Sequence, residues 1–248
     1  MTETPTPVTH ERPRRRAKHR GRGAGAFLRD LAVIVVVAIL ASFLIKTFLI
    51  RSFFIPSQSM EDTLLVNDRI LVNELVPHLM PLERGDVVVF KDPGGWLDAP
   101  APVAQNPVAG AADWVLSLFG LSSQDANDHL IKRVIGLPGD HVTCCNALGQ
   151  MSVNGSPLDE PYVLKQPGTT AVSGTSFDVT VPKDSLWVMG DNRYDSKDSR
   201  YNTDTATHGF VPIKDVVGRA FVISWPVTRW TYLSNYPDTF AGVAKGSG

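Results

Sequence analysis

"LAVIVVVAILASFLIKTFLI", residues 31–50, is the one long apolar run in this chain, and its reading decides how the rest is arranged. At about 1.5 Å per helical residue, a run of this length reaches roughly 30 Å, the thickness of a bilayer core. Lys46 lies near the far end, where its long stem can carry the ammonium to the headgroups. A helix packed on the surface of a soluble core would show a polar face; this run has none, and it carries an Arg-rich flank on one side only. No small-x-small cleavage site follows before "KTFLIRSFFIP", so the run reads as an uncleaved transmembrane anchor rather than a removable leader.

Upstream of it, residues 1–30 hold eight of the chain's 24 basic residues but only three of its 25 acidic ones, which leaves 16 bases against 22 acids in the remainder. The tail, with "ERPRRRAKHRGRGAG" at its centre, is too polar to bury anything and is expected to be disordered. On its own such a tail could bind nucleic acid. Followed by a span, it reads instead as a topology signal, because basic residues are retained on the cytoplasmic side. The expected organisation is a cytoplasmic tail over 1–30, a single-pass anchor over 31–50, an extracytoplasmic domain over 51–235 and a loose end over 236–248.

Downstream of the anchor the chain is mostly β. "RILVNEL" (69–75), "GDVVVFK" (85–91), "LIKRVIG" (130–136), "HVTCC" (141–145), "MSVNG" (151–155), "FDVTV" (177–181), "SLWVMG" (185–190) and "GRAFVISW" (218–225) are rich in Val, Ile, Phe and Thr, with Gly, Pro, Asn and Asp between them. Segment 92–129 breaks this pattern with Pro, Ala and Gly and reads as an insertion. Its "WVLSLFGL" (114–121) suits a short helix packed on the sheet more than a patch dipping into lipid. Cys144 and Cys145 are the only cysteines; a bridge between sequence neighbours is uncommon, so a half-buried strand end is the expected role. Without a second pair or suitably spaced His they make a poor zinc site, and no metal or other cofactor is expected.

No H-E-x-x-H, G-x-S-x-G, S-x-x-K, P-loop or G-x-G-x-x-G occurs, and none of the six histidines sits on a patterned apolar strand. What stands out just past the anchor is "FFIPSQSMEDTLLVNDRILVNE", 53–74, with Ser57 and Ser59 on a Pro-bounded turn: either solvated turn residues, or a nucleophile and its neighbour. In "LIKRVIGLPGD", 130–140, strand alternation puts Lys132 in a row with Leu130 and Val134. Such a lysine is either an edge residue with its head in water or a desolvated amine able to take a proton from a serine. "MGDNRYDSKDSR", 189–200, is a solvated turn or a hydrogen-bonded platform in which an Asp–Arg pair braces the backbone and a hydroxyl orients an amine.

Taken in order, the anchor, "IPSQSMEDTL", "NDRILVNE", "RGDVVVFK", "IKRVIGLPGD", "VNG", "VMGDNRYDSKDSR" and "GRAFVISWP" resemble the bacterial type I signal peptidases, the Ser-Lys dyad leader peptidases, in their single-anchor, Gram-positive-like form. The resemblance covers the chain from about residue 31 to 226. It implies a membrane-bound serine endopeptidase that removes signal peptides from exported preproteins after Ala-x-Ala-like sites. The nucleophile falls on Ser59 and the general base on Lys132. Ser57 falls on the oxyanion-hole hydroxyl, acting with the Ser59 backbone N–H. Ser196 falls on the serine that orients the lysine, and Asp198 and Arg200 fall on the bracing ion pair with Arg133 nearby. Ile55 and Pro56 fall on residues lining the small-residue pockets. Implied partners are exported preproteins, the lipid bilayer and the translocation machinery, with no nucleic acid. Two positions depart from the family pattern: Asp62 stands where proline is usual, and Asn67 where glycine is usual, a mild change because Asn tolerates left-handed backbone. The alternatives are a self-cleaving Ser-Lys peptidase of the repressor type, against which the outward topology argues, and an inert tethered β scaffold that binds exported chains.

Overall fold

The structure is a computed structural model describing residues 24–97 and 128–244; the basic tail to residue 23 and most of the insertion, including "WVLSLFGL", lie outside the described residues. The described residues divide into two compact units, one up to Phe43 and one from Leu44 onward.

Helix α1 runs Ala24–Phe48. It starts earlier than the 31–50 expected, because Ala26, Leu28 and Arg29 are good helix formers and no breaker stands among residues 26–29. It stops before Ile50 because that residue is recruited into a strand, where it lies opposite Asn73. Within α1, Gly25–Ser42 is long and apolar enough to cross a membrane, and side chains such as Phe27, Ile34 and Val36 are exposed all round.

The second unit is mostly antiparallel β. Its strands are β1 (Ile50–Phe54), β2 (Arg69–Asn73), β3 (Val87–Lys91), β4 (His129–Gly136), β5 (His141–Cys144), β6 (Met151–Val153), β7 (Ser156–Pro157), β8 (Phe177–Thr180), β9 (Ser185–Met189), β10 (Val211–Pro212), β11 (Val216–Trp225) and β12 (Thr231–Tyr232). The larger sheet has the order β1-β2-β11-β3-β4-β9-β10, with β12 also on β11, and the smaller has the order β7-β6-β5-β8. All eight strands expected from their β-forming composition between turn residues occur. β1 was hidden in the tail of the apolar run, and β7, β10 and β12 are two residues each, too short for a periodic signal.

β4 is the hinge of the arrangement. It pairs β3 in the register Val88↔Lys132 and β9 in the register Arg133↔Met189. Its apolar residues feed three cores: Ile131 joins Phe53, Ile55, Met60 and Leu64, Ile135 joins Val142, Trp187 and Met189, and Leu130 and Val134 join Phe90 and Trp96. A strand buried along nearly its whole length draws its two cations, Lys132 and Arg133, out of bulk solvent, Arg133 completely and Lys132 all but a sliver of its surface.

Two expectations are corrected here. Cys144 and Cys145 are bonded to each other, with Cys144 buried at the end of β5 and Cys145 exposed. The end of the chain is not loose over 236–244: Phe240 is buried against the core of the smaller sheet, Thr239 Oγ1 donates to Asp159 O at 2.7 Å, and the Ala244 carbonyl accepts from Asn154 Nδ2 at 2.9 Å. One large apolar side chain and these polar ties suffice to order it.

Candidate active site

The loop between β1 and β2 is closed at its base by reciprocal backbone bonds, from Ile55 N to Asp68 O and from Asn67 N to Ile55 O, each 2.9 Å. Inside it, Glu61 N donates to Gln58 O and Leu64 N to Met60 O, so the chain turns tightly just after Ser59. Met60 and Leu64 are both fully buried, and these apolar anchors on either side of the turn hold Ser59 at a set depth. Asn67 has φ 76°, the left-handed geometry in which asparagine can replace glycine. Asp62 has φ 86°. Proline, locked near −65°, could not adopt that backbone, so the turn after the serine takes a different path from one built on proline.

Ser59 Oγ lies 2.7 Å from Lys132 Nζ. The lysine's second contact is the carbonyl of Ile131, at 3.0 Å, and no carboxylate touches it among the described residues. Both side chains are buried, Ser59 at 7% exposure and Lys132 at 4%. Burial strips water from the ammonium and lowers the lysine pKa to about 8, although the charges of Asp198 and Asp191 pull it back up and that of Arg200 pushes it further down. The pair sits at the wall of an open cleft of about 610 Å³ lined also by Ser57, Gln58, Val66, Leu130 and Lys197.

Ser57 Oγ is 3.3 Å from Ser59 Oγ, on the solvent side of the turn. Ile55 is buried in the core with Met60, while Pro56 is exposed at the cleft edge; both also border a small crevice with Ile70, Val89 and Ile131.

The 189–200 platform is a buried ionic assembly. Arg200 and Asp198 form a two-pronged pair, Nε–Oδ1 at 2.8 Å and Nη2–Oδ2 at 2.7 Å, and Asp198 Oδ2 also accepts from Gly190 N at 3.0 Å. Arg133 is tied to Asp191 rather than to Asp198, Nε–Oδ1 at 2.8 Å and Nη2–Oδ2 at 2.6 Å. Asp191 accepts from Thr63 Oγ1 as well, at 2.6 Å, which joins the nucleophile loop to the strand of the lysine. Gly190 is required by contact: a Cβ there would strike Ser196 Oγ and Ser59 O.

Ser196 is the one expected contact that is not made. Its hydroxyl is buried without a hydrogen-bond partner among the described residues, and Lys132 Nζ is instead bonded to Ser59 Oγ and the Ile131 carbonyl. Sequence reasoning missed Asp191, Thr63 and the buried Glu160–Arg193 pair. For Asp191 a signal existed, since "GDNR" offers a carboxylate next to a glycine; Glu160 lies too far along the chain for spacing to connect it.

Residues 28–225 match the family described as signal peptidase, peptidase S26. The chain is similar to a signal peptidase I of Mycobacterium tuberculosis, 40% identical over 222 residues that cover 82% of this chain and 74% of that protein. It is similar also to a signal peptidase I of Leptolyngbya laminosa, 34% identical over 237 residues that cover 96% of this chain and 98% of that protein. A crystal structure of a signal peptidase I from Enterococcus faecalis aligns with 56% of this chain and 95% of that one, at 24% identity and a TM-score of 0.36.

Proposed function

Since the chain belongs to the signal peptidase family, peptidase S26, and is a hydrolase of that serine peptidase class, we propose that it removes signal peptides from exported preproteins with Ser59 as nucleophile and Lys132 as general base. The observation that carries this reading is the 2.7 Å approach of a serine hydroxyl to a buried lysine amine that touches no carboxylate among the described residues. An amine in that setting with a pKa of about 8 is substantially neutral at mildly alkaline pH, and a neutral amine can accept a proton.

In the proposed cycle Lys132 Nζ takes the Ser59 proton as Oγ bonds to the scissile carbonyl carbon. The carbonyl oxygen becomes negative and is held by the Ser57 hydroxyl and the Ser59 backbone N–H. When the intermediate collapses, the carbon–nitrogen bond breaks and the lysine ammonium returns its proton to the leaving amine, which departs as the new N-terminus of the mature chain. A water then loses a proton to the amine and attacks the ester, and Ser59 recovers its hydrogen as the signal peptide leaves with a carboxylate. Asp198–Arg200 and Asp191–Arg133 keep the platform and β4 in register without touching the reacting atoms.

The remaining elements are part of the same proposal. α1 crosses the bilayer with the basic tail in the cytoplasm, so that the catalytic unit faces the exported side. Ile55 and Pro56 border the site that accepts small residues of an Ala-x-Ala motif, and the protein works beside the translocation machinery that delivers its substrates. The test uses the full chain in detergent micelles with a preprotein carrying an Ala-x-Ala site. Mass spectrometry of the products should show one cut after that motif, absent from Ser59→Ala and Lys132→Ala; binding without cleavage would support the inert scaffold, and full activity of Lys132→Ala would remove the dyad.

A further inference from the structure

The nucleophile loop and the 189–200 platform meet through a residue with no role in the mechanism above. Asn192 is buried, and it contacts the nucleophile segment twice: its backbone N–H donates to Ser59 O at 3.2 Å, and its side-chain Nδ2 donates to Gln58 O at 3.3 Å. The Gln58 carbonyl belongs to the same peptide unit as the Ser59 N–H. That peptide is trans and planar, so its C=O and N–H point in opposite directions and holding the oxygen aims the hydrogen. Asn192 thus grips the peptides on both sides of the serine, one by its side chain and one by its main chain.

What holds Asn192 comes partly from outside the larger sheet. The next residue, Arg193, is fully buried; its Nε donates to Gly190 O at 3.0 Å and its backbone N–H to Asp191 O at 3.1 Å, closing the turn that carries Asn192. Its guanidinium is neutralised two-pronged by Glu160, Nη2–Oε1 at 2.6 Å and Nη1–Oε2 at 3.1 Å, and Glu160 Oε1 also accepts from Tyr162 Oη at 2.8 Å. Glu160 follows β7 of the smaller sheet. A buried charge pair is a poor source of stability, whereas it is a good way to specify one geometry.

We propose that Asn192 is a positioning residue of the oxyanion hole, which together with the Glu61 N–H on the same Gln58 carbonyl holds the Gln58–Ser59 peptide so that the Ser59 N–H faces the developing negative charge, with Glu160–Arg193 as the prop behind Asn192. This rests on the reading of Ser57 and the Ser59 N–H as oxyanion donors. The charges acting on Lys132 are those of Asp198, Asp191 and Arg200, so removing a neutral asparagine leaves the base unchanged. The defect would appear only when the oxyanion forms.

The experiment compares Asn192→Ala and Glu160→Gln with the parent, using the full chain in micelles, a synthetic signal-peptide substrate and the peptide aldehyde of the same sequence as a mimic of the tetrahedral intermediate. Asn192→Ala should lower kcat by about 10- to 100-fold, less than the loss of a donor outright, with KM within about twofold and the apparent pKa of kcat/KM unmoved. Aldehyde affinity should fall by the same factor as kcat/KM, and Glu160→Gln should repeat the pattern at smaller size. A kcat within threefold of the parent, or a loss accompanied by a moved pKa, overturns the proposal. If Asn192→Ala does not fold, Glu160→Gln decides by the same criteria. Ser57→Ala separates the two levels: full activity there would refute the underlying mechanism, whereas a crippled Ser57→Ala beside a normal Asn192→Ala refutes only this inference.

Discussion

Lys132 and Arg133 are neighbours on β4, both buried, and the chain treats them in opposite ways. Arg133 meets a carboxylate head-on in Asp191, hydrogen-bonds the carbonyls of Gly85 and Ser234 at 2.6 and 3.1 Å, and stacks at 4.1 Å on the Tyr162 ring. Lys132 has one hydroxyl and one carbonyl. The compensated cation keeps its charge and braces the fold, while the uncompensated one is driven toward neutrality and becomes available for proton transfer. One residue of strand separates a structural ion from the proposed general base, and the difference lies in which partners reach each head group and in the weaker basicity of an amine than of a guanidinium.

That contrast can be broken at either residue. The largest effect is expected at the base itself: Lys132→Ala should cost at least roughly 10⁴-fold in kcat in a purified cleavage assay, comparable to loss of a member of any cooperative nucleophile–base unit. Arg133→Met should act on stability instead, because it leaves Asp191 charged, buried and without its partner. A loss of about 3–5 kcal/mol is expected in chemical unfolding, and an unchanged midpoint would mean that the pair is not the brace described. Ser57→Ala should lower kcat by about 10² to 10³ with Lys132 untouched, so that the pH profile keeps its position while its height falls.

The smallest effect is the most discriminating. Lys132 binds its proton less tightly in the folded protein, about 8 against 10.5 in the unfolded chain. The unfolded state therefore holds more protons between those values, and the lysine's penalty on folding is complete below about 8 and relieved as pH rises through that window. Lys132→Met should abolish cleavage yet raise Tm by several degrees at pH 7, with the gain shrinking from about pH 8 upward as the wild-type lysine becomes neutral. A Tm that falls at pH 7 would show that the amine is stabilised by its surroundings and not held against its preference.

Much of this was legible in the chain, and the limits have physical reasons. The eight strands longer than two residues beyond β1 carry enough β-branched and aromatic residues between turn formers to be read. The placing of Lys132 between Leu130 and Val134 in an apolar row followed from the two-residue repeat alone. Partner choice did not: with three aspartates in 189–200, nothing in the spacing says that Arg133 takes Asp191 while Arg200 takes Asp198. Nor could spacing show that the amine bonds a backbone carbonyl, since main-chain acceptors leave no mark in a sequence. Glu160 is the extreme case, a residue that follows a strand of the other sheet and whose contact with the site runs through Arg193. The Cys144–Cys145 bond was weighed as uncommon and is present.

The central claim is that a buried, carboxylate-free lysine is the base, and the pH dependence of kcat/KM for the full-length protein tests it most directly. The account predicts a single rising limb with an apparent pKa near 8, abolished in Lys132→Ala and displaced downward in Asp198→Asn, which removes a charge that holds the lysine pKa up. A limb at the ordinary lysine value of 10.5, or one in the histidine range that survives Lys132→Ala, would contradict it.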